Sequence, residues 1–168
     1  MPELTQIQTQ LNKARAKVEL NSRTIDLLCR EMTDKYAKEL DDLVETVKDM
    51  LNSDQEITID EYEIIALKLP TLLYSVSTYA ELVGIRNDVS KAFEREKYSS
   101  TYLSLQSGSV KEKEFVCTND TYPEFIVTVV TSRTYKQLQQ KISAAYELLA
   151  AVKKVLTRRM RTYELPEN

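Results

Sequence analysis

Residues 153–161 read Lys-Lys-Val-Leu-Thr-Arg-Arg-Met-Arg, five cations in nine positions. The chain that carries them is net acidic, with 23 Lys and Arg against 26 Asp and Glu. The imbalance is segregated. Residues 133–161 hold eight basic residues and one acid, net +7, whereas residues 34–63 hold eleven acids and three lysines, net −8. A cationic run of this density is chemistry for polyanions, with a nucleic-acid backbone as the main candidate. Its bland alternatives are a solvated helix face favoured by the helix dipole, or an ion-pairing partner for the acidic segment.

Little else in the chain could react. There is no histidine, so the commonest general base and metal ligand is missing. No Walker A loop, G-x-G-x-x-G or G-x-S-x-G occurs, and no pair of carboxylates stands apart from the many solvated ones. Cys29 and Cys117 are isolated, without metal-ligand spacing, and read as reduced thiols of a cytosolic protein. The expectation is a non-enzymatic protein with no cofactor and no metal, soluble in the cytoplasm, without a membrane span or a secretory signal.

The elements that position the cations follow from periodicity. With two glycines and four prolines, composition favours helices. Apolar residues at Leu4, Ile7, Leu11, Ala14, Val18, Ile25, Leu28 and Met32 step by three and four, interrupted at Asn21. A double step of four through Tyr36 and Leu40 is a stutter, after which Leu43, Val47 and Met50 continue the seam. This predicts a helix over 1–52. Thr58 and Glu61, and again Ser109 and Glu112, form capping-box pairs that start new helices. Pro70 is expected to kink or split the helix it lies in, and Gly84 to end it, giving a hairpin over 57–106. Residues 124–132 are rich in Val, Ile and Thr, which favour strand, but no second strand-like run exists to pair with them. The reading is therefore one long helix over 122–162. Its seam is Leu138, Ile142, Ala145, Leu149, Val152, Leu156 and Met160. The expected fold is all-α, with long N- and C-terminal helices around a short helical hairpin, an elongated bundle that oligomerises through its seams. The expected organisation is 1–52 as an arm and 57–168 as a helical core.

On a helical projection Arg133, Lys136, Lys154, Arg158 and Arg161 fall opposite the last seam, while Lys141, Lys153 and Arg159 flank it. Tyr135, Tyr146 and Tyr163 on the same helix are either core rim or stacking faces for bases. A second basic group, Lys91, Arg95 and Lys97, alternates with Glu94 and Glu96, as in a salt-bridged helix face.

Five stretches carry a resemblance: ALKLPTLLYSV at 66–76, GIRNDVSKA at 84–92, SGSVKEKE at 107–114, SRTYKQLQQKISAAYELLAAVKKVLTRRM at 132–160 and YEL at 163–165. In order and pattern they resemble the UvsY recombination mediators of tailed phages. The resemblance implies a phage protein that binds single-stranded DNA and forms a closed homo-oligomeric ring. It also implies partners: a RecA-like recombinase, loaded onto DNA coated by a single-stranded-DNA-binding protein. In the family a basic element precedes the glycine break. The matching positions here are Lys91, Arg95 and Lys97, where Glu94 and Glu96 dilute the charge, so the nucleic-acid-binding expectation extends to Arg133, Lys136, Lys154, Arg158, Arg159 and Arg161. Two rivals use the same residues otherwise. One is a helical phage assembly adaptor without DNA binding. The other is a small inhibitor of a host protein, acting through acidic residues 34–63.

Overall fold

A computed structural model describes residues 2–53 and 56–164. The side chains of the expected seam residues Leu4, Ile7 and Ala14, and of Tyr163, lie outside what is described. Four helices follow in order: α1 (Pro2–Asn52), α2 (Ile59–Ser104), α3 (Val110–Asp120) and α4 (Tyr122–Glu164), with no strand among the described residues. The all-α expectation holds. Residues 124–132 are helical despite their β-branched content, because a strand without a partner leaves its backbone unsatisfied.

Both capping boxes form. The Thr58 N–H donates to Glu61 Oε2 at 2.7 Å and the Glu61 N–H donates to Thr58 Oγ1 at 3.3 Å. Ser109 and Glu112 repeat the exchange at 2.7 and 3.4 Å. Each box satisfies two donors that the first turn would otherwise leave open. Just before the second box, Gly108 has φ 110°, a conformation that a Cβ would strain.

The expected hairpin over 57–106 does not exist, since α2 runs unbroken through Pro70 and Gly84. Pro70 is exposed, so water can reach the Ala66 carbonyl that the missing proline N–H abandons. Leu69 and Leu73, both fully buried, hold the helix on either side of it. Gly84 is not a terminator, and its φ is not positive. A Cβ there would meet Tyr135 Cε2 at 3.1 Å, so the glycine serves close approach of an aromatic ring rather than a turn.

The chain forms two compact units that cut across the expected division at residue 52: residues 1–32 with 87–133, and residues 33–86 with 134–168. In the second unit, α1, α2 and α4 pack around a continuous apolar core. It includes Ala37, Leu40 and Val47 from α1, Leu69, Leu73, Val76 and Val83 from α2, and Leu138, Ile142, Leu149 and Val152 from α4. Each fully buried leucine contributes about 1.5–3 kcal/mol of transfer free energy. The α4 seam is as expected from Leu138 to Val152. Leu156 is half-buried and Met160 is exposed.

The α1 seam needs correction. Leu40 and Val47 are buried as expected, but before them the buried positions are Thr33 and Ala37, while Met32 and Tyr36 are half-buried. Small side chains occupy the centre of the helix contact, and the Thr33 hydroxyl donates to Gln137 Oε1 at 2.8 Å. Tyr36 moves to the rim, where its ring stacks on Tyr79 with centroids 5.0 Å apart. In the first unit Leu11 and Val18 stay exposed, and the buried position is Cys29, not Leu28. The Cys29 thiol donates to the Val130 carbonyl at 3.7 Å. Both cysteines are buried thiols outside any disulfide. Asn21, the interruption in the seam, is half-buried and its amide donates to the Tyr122 hydroxyl at 3.2 Å.

Candidate polyanion-binding surface

Helix α4 presents its seam inward, which fixes what faces out. Lys154, Arg158 and Arg161 recur at i, i+4 and i+7, so they share one side, and Lys153 borders it. All four are exposed, and with Thr157 and Thr162 they line one shallow depression on the helix surface. None has a carboxylate within ion-pair range among the described residues. Four cations thus cover about 12 Å of helix, at 1.5 Å per residue.

The ion-pairing alternative accounts for other residues. Lys141, at the edge of the seam, pairs with Asp41 of α1. Arg159 is also tied down. Its Nη1 donates to the Ile57 carbonyl at 2.6 Å, its Nη2 lies 3.1 Å from Glu56, and its guanidinium sits over the Tyr62 ring at 5.3 Å. The acidic segment therefore takes two of the flanking cations, Lys141 and Arg159, and leaves Lys153 and the outward ones. The helix dipole favours Arg161, in the last turn, but its effect fades within a turn and does not explain Lys153 and Lys154.

The structure sorts the expected residues. It brings Lys154, Arg158 and Arg161 together and adds Lys153, which the projection assigned to the seam's flank. Arg159, one position from Arg158, faces the protein interior and leaves the set. Lys136 is exposed, but it precedes Lys154 by 18 residues, about 27 Å of helix. Exposed Glu147 lies between them, so the ridge is not continuous.

Arg133, Lys91, Arg95 and Lys97 belong to the other compact unit. Lys97 bonds Glu124 at 3.0 Å and lies 4.0 Å from Asp120. The Lys97 hydrogen bond is the main cause that holds the Glu124 carboxyl below its ordinary value. Lys91 reaches Asp88 at 3.4 Å, whereas Arg95 and Arg133 are exposed and without an ion pair among the described residues. Lys91 and Lys97 are thus salt-bridged, but to Asp88, Glu124 and Asp120 rather than to the interleaved Glu94 and Glu96.

Tyr135 is not a stacking face, because its ring lies against Gly84, whereas Tyr146 is exposed. Among the described residues no group of three or more His, Cys, Asp or Glu could hold a metal, and no helix is long and apolar enough to cross a membrane. Comparison with protein-family models, curated proteins and solved structures finds no significant match.

Proposed function

We propose that this chain is a non-catalytic, single-stranded-DNA-binding recombination mediator. It meets the DNA backbone through Lys153, Lys154, Arg158 and Arg161 of α4. The observation that carries the reading is the exposure of these four cations along one stretch of a helix, without carboxylate partners among the described residues, while neighbouring Lys141 and Arg159 are neutralised. Cations held in this way gain free energy from phosphate by releasing condensed counterions. The contacts read charge rather than base edges, so oligonucleotides of equal length and different sequence bind alike. The mediator role rests on the resemblance to UvsY proteins. It adds a RecA-like recombinase and a single-stranded-DNA-binding protein as partners, and action in the cytoplasm of a phage-infected cell.

Four phosphate contacts give a slope of roughly −2.8 in log affinity against log salt, at about −0.7 per phosphate on a single strand. The test is fluorescence anisotropy of labelled oligonucleotides over a salt series. Replacing Lys154→Glu, Arg158→Glu and Arg161→Glu together should flatten the slope by about 2 units. Unchanged affinity and slope, with helix content intact, would leave the surface as solvated charge. The adaptor reading would then gain, since α2 exposes an apolar face that an assembly protein could use.

A further inference from the structure

Helix α2 is apolar on two opposite sides. In the second compact unit Leu69, Leu73, Val76, Ala80 and Val83 face the core. On the other side Ile64, Leu67, Tyr74, Leu82 and Ile85 are 50, 75, 79, 48 and 54% exposed. Together with Thr71 and Thr78, these outward residues step by three and four along the helix, which is the spacing of a packing seam. A helix with apolar residues all round belongs in an interior, and the protomer covers only half of this one.

We infer that the outward face of α2 is the contact between two copies of this chain, packed antiparallel about a two-fold axis near Tyr74 and Ser75. The argument is the symmetry of the face. Ile64 lies as far before that midpoint as Ile85 lies after it, Leu67 matches Leu82, and Thr71 matches Thr78. A two-fold axis perpendicular to the helix therefore places Ile64 in the layer of Ile85 of the second copy, and Leu67 in the layer of Leu82. An isologous interface requires such self-complementarity.

Charge follows the same mirror. Lys68 shares a layer with Glu81 of the second copy, and Glu63 with Arg86, so each layer carries both signs, on opposite rims of the contact. Parallel packing in register would instead gather like charges into the same layer. The area is also adequate. The five apolar side chains expose on the order of 500 Å² per copy, at the upper end of patches on monomers, and twice that reaches the roughly 1,000 Å² of a specific interface.

The test is the mass of the full chain in solution without nucleic acid, by sedimentation equilibrium at micromolar concentration. Its outcome is thus independent of the DNA reading. Twice the 19.4 kDa of one chain is expected, or an even multiple of it where such pairs join into a ring. Leu67→Lys alone and Leu82→Glu alone should each weaken the dimer at least about thirtyfold, as loss of a central anchor does. The double variant, Leu67→Lys with Leu82→Glu, should restore it, because the two-fold sets the introduced opposite charges against each other. Both sites are exposed in the protomer, so circular dichroism should show the same helix content in every variant. A monomeric wild type, an assembly with an odd number of copies, single variants that remain dimeric, or a double variant that stays monomeric would each overturn the inference.

Discussion

Arg158 and Arg159 are adjacent in sequence, and the structure gives them opposite roles that alanine substitution can separate. Arg159 donates to the buried Ile57 residue's carbonyl at 2.6 Å, a charge-assisted hydrogen bond worth about 1.5–3 kcal/mol. Its position over Tyr62 adds about 0.5–1 kcal/mol at a partly exposed site. Its ion pair with Glu56, a side chain 83% exposed, adds close to nothing. Arg159→Ala should therefore cost roughly 2–4 kcal/mol. At about 2–4 °C per kcal/mol for a chain of this size, the heat-denaturation midpoint should fall by about 5–15 °C. Arg158 touches none of these groups, so Arg158→Ala should change stability by less than about 0.5 kcal/mol, as at other open surface sites. It should instead flatten the salt dependence of oligonucleotide binding by about 0.7. The assay is a pair of measurements on each variant, thermal unfolding by circular dichroism and anisotropy over a salt series. An Arg159→Ala variant that melts like wild type, or that loses as much DNA affinity as Arg158→Ala at unchanged stability, would refute the division.

Two further outcomes follow from local structure. Backbone and then hydroxyl hydrogen bonds from Thr58 and Ser109 hold the Glu61 and Glu112 carboxyls below their ordinary value of 4.5. A lowered folded pKa gives stabilisation that is present above the unfolded value and lost as pH falls through the folded one. Protection of the first amides of α2 and α3, measured as exchange relative to its intrinsic rate, should thus fall only in acid below the ordinary carboxylate range, and Ser109→Ala should raise the Glu112 titration seen by NMR. Pro70→Ala should stabilise the protein by about 1–3 kcal/mol, because alanine restores a helical N–H at an exposed site; a lower melting midpoint would contradict this.

Much of this molecule was legible in the chain itself. The 3–4 spacing from Leu138 to Val152 determines which side of α4 is buried, and hence that Lys154, Arg158 and Arg161 face out. The Thr58–Glu61 and Ser109–Glu112 pairs mark their helix starts because a capping box is a contact within four residues. Tertiary structure decided what local spacing cannot reach. Gly84 reads as a stop until Tyr135, fifty-one positions later, is seen to need its missing Cβ. Pro70 reads as a break, but core contacts at Leu69 and Leu73 outweigh its local cost. Hydrophobicity favours Met32 and Tyr36 as seam residues, yet the centre of a close helix contact takes the smaller Thr33 and Ala37. Arg159 differs from Arg158 by 100° around the helix, and only the distant chain at Glu56 and Ile57 makes one a strut and leaves the other open to solvent.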